Sequence, residues 1–191
     1  AQEYHKEMVA AYNAGDSEKF DKISTHFLDL IRLQERVLST SPEFLVGTWI
    51  EQSRTMLEGA DDWTKDLFEF NARALITWGD YKNGGLKDYS NRQWAGLTGD
   101  LYLKRWEMWV DGISNELKTG KPAPGINWYR VEYEWANEKT TEENQYTTEG
   151  SGEDLAMLAN IAMDEFSVTN MEKFLGGSSS AVEKVNIALG K

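Results

Sequence analysis

The sequence predicts an all-α fold, an irregular helical bundle of about six to eight helices. Three observations predict it. Apolar residues recur at steps of three, four and seven over long stretches, the spacing that puts them on one face of a helix. Those stretches are bounded by residues that start and stop helices: Asp16, Ser17 and Asp61 in front, Gly15, Gly59 and Gly120 behind. No stretch sustains the period-two alternation of a half-buried strand, and no internal repeat is visible. We read residues 1–145 as the helical domain and 146–175 as an acidic loop and final helix that can pack on it. Residues 176–191 read as a Gly/Ser linker and tail.

In chain order, Glu3 to Asn13 is a short helix closed at Gly15. Asp16 or Ser17 caps the next, in which Phe20, Ile23, Phe27, Leu30, Ile31, Val37 and Leu38 form one apolar stripe. Ser41-Pro42-Glu43 restarts the chain, proline being tolerated in a first turn because its missing N–H has no partner there anyway. A third helix carries Leu45, Trp49 and Met56 and ends near Gly59. Asp61 or Asp62 opens a fourth, with Trp63, Leu67, Phe70, Ala74 and Trp78 as its expected buried stripe. Asp88 to Leu97 reads as a short helix, and Asp100 to Lys118 as a longer one stopped by Gly120 and Pro122. A brief amphipathic turn through Tyr133 and Trp135 follows. From 136 to 155 six acids and the single base Lys139 occur with no apolar period, which reads as a solvated loop. Leu155, Leu158, Ala162 and Phe166 mark the last helix, and Gly176-Gly177-Ser178-Ser179-Ser180 a flexible linker.

Composition excludes several functions. The net charge of −12 over 191 residues opposes a phosphate-backbone partner, so no nucleic acid is expected. It equally opposes an anionic membrane surface, and no apolar run approaches the roughly 20 residues a span needs. There is no cysteine, hence no disulfide and no thiolate metal site. The opening AQEYHKEM is polar and unlike a signal peptide; a chain that opens inside a helical pattern suggests a piece of something longer.

The distinctive stretch is 76–110. Seven Trp and Tyr residues fall between 78 and 110, against about four from the chain's 12% aromatic content. Aromatics with polar edges beside a glycine-bearing loop build sites that stack on a ligand and hydrogen-bond it; the plainer reading is a core that uses tryptophan. No reaction centre accompanies them. His5 and His26 are far apart with no HExxH pattern, so no metal and no cofactor is expected. Neither GxSxG nor a P-loop occurs. Of the many acids, Glu69, Asp80 and Asp88 lie near the aromatics, and turn-flanking aspartates are usually caps. No residue is assigned a catalytic role.

NAR (71–73), ITWGD (76–80), DYSNRQWAGL (88–97) and YLKRWEMW (102–109) together resemble the C-terminal helical region of α-N-acetylglucosaminidases, glycoside hydrolase family 89. The match covers about residues 65–110, and the spacing between Arg73 and Trp78 is one residue shorter than the family pattern. The resemblance implies an all-α domain packed on a (β/α)₈ barrel that is not in this chain. It implies exo-hydrolysis of terminal α-linked N-acetylglucosamine with retention, by two glutamates of that barrel, so that this piece alone is inactive. A secreted, cell-surface or lysosomal enzyme is implied. The helical domain is then expected to supply one wall of the sugar pocket through Trp78, with Asp80, Tyr81, Asn91 and Gln93 as hydrogen-bonding partners. Arg73, Arg92 and Arg105 are expected to tie helices or the barrel interface together, and Trp94, Trp106 and Trp109 to pack. The alternative is a non-catalytic helical module that binds a carbohydrate or a protein by itself; a third reading is a structural spacer.

Overall fold

Two helices joined by a two-residue turn begin the chain, α1 (Gln2–Ala14) and α2 (Ser17–Ser39). Gly15 takes the left-handed conformation (φ +67°) that closes α1, and the Asp16 carboxylate caps α2 by accepting from the Lys19 N–H at 2.9 Å. This is a computed structural model, and it describes residues 2–77, 88 and 90–174. The remaining elements are a 3₁₀ turn at Pro42–Phe44, α3 (Val46–Thr55), α4 (Asp62–Leu75), a π-helical turn at Thr98–Tyr102, α5 (Leu103–Thr119), α6 (Trp128–Ala136), α7 (Leu155–Phe166) and α8 (Val168–Phe174). The described residues are helical with no strand beyond one isolated parallel bridge, Leu45 with Ala95.

Two apolar cores result. Tyr4, Met8 and Ala11 of α1 meet Phe20, Ile23, Phe27, Leu28 and Ile31 of α2, and α5 closes this core with Val110, Trp106 and Trp109. The second gathers Val46 and Ile50 of α3, Ile76, Leu97 and Leu101, and Val131 and Trp135 of α6. Trp49, Trp94, Tyr102, Met108 and Tyr146 pack around it. Helix α5 and the turn before it therefore stand between the cores, Trp106 and Trp109 serving one and Tyr102 and Met108 the other.

Three expectations need correction. The stretch 88–97 is not a helix: residues 91–94 take no regular secondary structure, Ala95 bridges to Leu45, and Val46 N–H donates to the Ala95 carbonyl while Ala95 N–H donates to that of Phe44. Those groups are spent on a neighbouring segment, so no helical ladder can use them. Gly96 then turns the chain at φ +86°, where an added Cβ would lie 2.5 Å from Val46 Cγ1. Next, Met56 is 81% exposed, because α3 ends at Thr55 and the chain turns before Gly59. Finally, α4 buries the opposite face from the one its apolar pattern indicates. Glu69, Ala72 and Arg73 point inward, whereas Trp63 is 72% exposed and Leu67, Phe68 and Leu75 face outward too.

Polar pairing explains that inversion. The Glu69 carboxylate accepts from Arg73 Nε (2.9 Å), Arg54 Nη1 (2.7 Å) and the Thr140 hydroxyl (2.8 Å), and Arg73 Nη1 donates to the Trp135 carbonyl (3.3 Å). Arg73 also lies over the Trp135 ring at 4.9 Å. A buried ion pair persists only when further bonds satisfy its remaining groups, and here three other segments contribute them, α3, α6 and the stretch holding Thr140.

The acidic segment after α6 is irregular and mostly exposed, yet it is anchored. Tyr146 enters the second core, its hydroxyl donating to Asp100 and accepting from Trp135 Nε1. Ser151 N–H donates to the Ser39 carbonyl and Glu153 pairs with Arg36, after which α7 runs against α2. The segment Gly176–Ser180, expected as a linker, lies outside the described residues.

Candidate functional site

A concavity of about 510 Å³ opens where α2, residues 88–98, α5 and the start of α6 meet. Asn91, Gln93, Arg105, Trp106 and Trp109 all line it, together with Gln34, Asp88, Thr98, Tyr102 and Trp128. Trp78, Asp80 and Tyr81 lie outside the described residues. Of the residues beside them, Asp88 lines the concavity, and its N–H donates to the Thr77 carbonyl at 3.0 Å.

Asp88 holds an uncommon backbone conformation for a non-glycine residue (φ +55°). Its carboxylate receives the Arg105 guanidinium as a fork, at 3.0 and 3.1 Å, and Glu132 approaches the same guanidinium at 3.2 Å. Burial pulls the Arg105 pKa down, and the two carboxylates more than reverse it, so the charge is neutralised in place. The guanidinium also lies 5.9 Å from the ring centres of both Tyr102 and Trp128.

On the other wall, Trp106 meets Phe27 edge to face at 4.8 Å and Trp109 at 5.7 Å, and Trp109 lies 6.1 Å from Phe20. Both indoles thus pack against the first core and line the concavity. Trp94 instead packs with Trp49 (5.9 Å) in the second core. Arg92 stays local, its Nη1 donating to the Ser90 and Asn91 carbonyls. Arg73 does not line the concavity; it is fully enclosed in the network described above. Glu69 is locked into that network and Asp88 into its fork, so neither carboxylate is placed for acid–base work.

The floor of the concavity went unrecognised in the sequence. The π-helical turn puts Thr98 and Tyr102 on successive turns, both reaching the cavity lining. Thr98 is 1% exposed, and neither hydroxyl has a hydrogen-bond partner. Burial pushes the Tyr102 phenol up to about 12, outweighing the Arg92 backbone N–H, which acts on the Tyr102 oxygen and lowers its pKa. The spacing of 98 and 102 by four is the one local signal; Gln34 and Trp128 reach the site from distant parts of the chain.

Residues 1–163 match the family model of the alpha-N-acetylglucosaminidase C-terminal domain. The chain belongs to that domain family. The domain is 32% identical over 95 residues to the human alpha-N-acetylglucosaminidase, a match covering 49% of this chain and 12% of that protein. Two solved structures of the family 89 glycoside hydrolase from Clostridium perfringens superimpose on it. One, in complex with its substrate GlcNAc-alpha-1,4-galactose, gives a TM-score of 0.87 at 58% identity, over 91% of this chain and 20% of that one. The other, in complex with PUGNAc, gives 0.86 at 58% identity, over 90% and 20%. The C-terminal domain described here therefore spans about a fifth or less of the relatives it matches. No helix among the described residues is long and apolar enough to cross a membrane.

Proposed function

We propose that this chain is the C-terminal helical domain of an exo-acting, retaining α-N-acetylglucosaminidase, packed on a (β/α)₈ barrel elsewhere in the same polypeptide and lining its sugar pocket. The carrying observation is the inverted helix α4. A helix that buries Glu69 and Arg73 while presenting Trp63, Leu67, Phe68 and Leu75 outward leaves an apolar surface that needs a partner. The relatives supply the candidate, since four-fifths of the Clostridium perfringens chain lies outside the match.

Asn91 and Gln93 line the cavity, and Trp78, Asp80 and Tyr81 are assigned to the sugar pocket on the resemblance. An indole packs well against the C–H face of a pyranose while amides and hydroxyls meet its edges. The substrate assigned is a glycan ending in α-linked N-acetylglucosamine, in line with the disaccharide held by the relative. Hydrolysis itself needs two carboxylates, which the resemblance assigns to the barrel.

The test uses the parent polypeptide with 4-nitrophenyl α-N-acetylglucosaminide. Trp78→Ala is expected to lower kcat/KM by roughly tenfold to a hundredfold, the scale of losing a wall that positions substrate. A folded parent that turns nothing over would leave the non-catalytic binding module as the reading.

A further inference from the structure

Helix α7 packs on α2 and carries no charge from Leu155 to Met163, yet a single residue of it, Leu158, is fully buried. Its outer side is apolar as well. Leu155 (54% exposed), Ala159 and Met163 (69% exposed) recur at steps of four with Ala156 beside them, forming one ridge about 12 Å long. A contiguous apolar ridge on a surface marks a contact. The face assigned above to the barrel lies on α4, which packs on α3 and α6, so this ridge belongs to a different part of the fold.

The chain itself carries a match. Residues 181–189, AVEKVNIAL, lie outside the described residues. Their sequence sets Ala181, Val185 and Leu189 at steps of four with Val182 beside them, the same spacing as the α7 ridge. Glu183, Lys184 and Asn186 fall on the other side of such a helix. Run antiparallel to α7, this stripe would set Ala181 against Met163, Val185 against Ala159 and Leu189 against Leu155. Large residues facing small ones interdigitate at the density of a protein interior.

The point at which the described chain ends brings that segment within reach. Phe166 in the last turn of α7 and Phe174 at the end of α8 both stack on the His26 ring, at 4.6 and 4.4 Å. Residue 174 therefore stands beside the C-terminal end of α7. Residues 175–180 lead from there to Ala181; six residues span at most about 20 Å and match the length of ordinary helix–helix connections. A helix as short as 181–189 is marginal in water by itself, so its apolar stripe needs a surface to pack on.

We propose that residues 181–189 form a helix that folds back antiparallel on the outer ridge of α7, residues 175–180 making the connection. The run read from the sequence as a linker then closes a helical hairpin.

The chain has no cysteine, so an introduced pair reports this contact without background. Ala159→Cys combined with Val185→Cys is oxidised in the 191-residue chain, and closure is followed by non-reducing electrophoresis. Ala159 is exposed, so the change leaves the packing of α7 intact. A disulfide requires close Cα atoms, so this pair is expected to close within one chain roughly tenfold faster than Ala159→Cys with Glu183→Cys, which sits on the outer side. Ala159→Cys alone is expected to react slowly with a thiol reagent, and roughly tenfold faster once Val185→Asp and Leu189→Asp remove the apolar stripe. Equal closure by the two pairs, a disulfide joining two chains instead of closing one, or a labelling rate unmoved by the aspartates would overturn the proposal. So would protection of Ala159→Cys that arises in the parent polypeptide alone, which would give the ridge to another part of that enzyme. Turnover by the parent bears on the glycosidase reading and leaves the hairpin untouched.

Discussion

Arg73 and Glu69 sit one turn apart on α4 with a nitrogen–oxygen separation of 2.8 Å, and neither side chain reaches solvent. That Arg73 Nη2 contact is electrostatic rather than a well-aligned hydrogen bond; the aligned one runs from Nε to the same oxygen at 2.9 Å. The pair organises the second core: through Arg54 it reaches α3, through the Trp135 carbonyl α6, and through Thr140 the acidic segment.

Removing one partner leaves the other charged and buried. Arg73→Ala is expected to cost about 3–5 kcal/mol, measured as the loss in urea unfolding free energy. Arg73→Lys should recover little of it, because an ammonium cannot reach Glu69 and the Trp135 carbonyl in one plane while lying over the Trp135 ring. Full recovery by lysine would show that only the charge matters.

His26 makes stability depend on pH. Its ring lies between Phe166 (4.6 Å) and Phe174 (4.4 Å), and its Nδ1 is 2.9 Å from the Tyr4 hydroxyl. Burial lowers its pKa below the ordinary 6.5, outweighing Asp29 and Glu165, which raise it. The unfolded chain therefore takes up the proton first. This contribution is fully present above pH 6.5 and is lost as pH falls through the depressed folded value. Denaturant midpoints measured from pH 7.5 to 5 should fall, and His26→Phe should flatten that part of the slope. An unchanged slope in the variant would remove His26 as its source.

The outer face of α4 separates intrinsic stability from docking. Trp63→Ser combined with Leu67→Gln touches side chains that are already exposed, so the chain's own stability should change by no more than about 0.5 kcal/mol per site. In the parent polypeptide the same changes should lower the thermal midpoint and speed proteolytic release of the domain. A parent indifferent to them would place the barrel contact on another surface.

Much of the helical framework was legible because its signals are local. Asp16 and Asp61 cap α2 and α4 by accepting from Lys19 and Thr64 N–H groups, and Gly120 ends α5 in a left-handed turn, as their sequence context indicates. The stripe from Phe20 to Ile31 also faces the core it predicts. The non-helical path at 91–95 was not legible, since Ala95 finds its partners in the backbone groups of residues 44 and 46 rather than in anything adjacent.

By itself, the sequence determined the caps of α2 and α4, the stop of α5, the all-α class, the absence of thiol chemistry, and the motifs that tie residues 71–109 to one family. Only the tertiary structure decided which face of α4 is buried and that residues 34, 98, 102 and 128 share a cavity. The reason is one of range. Capping and periodicity are settled within a turn or two of chain, whereas an acid such as Glu69 turns inward only when Arg54, Arg73 and Thr140, up to 71 residues away, are brought there to receive it.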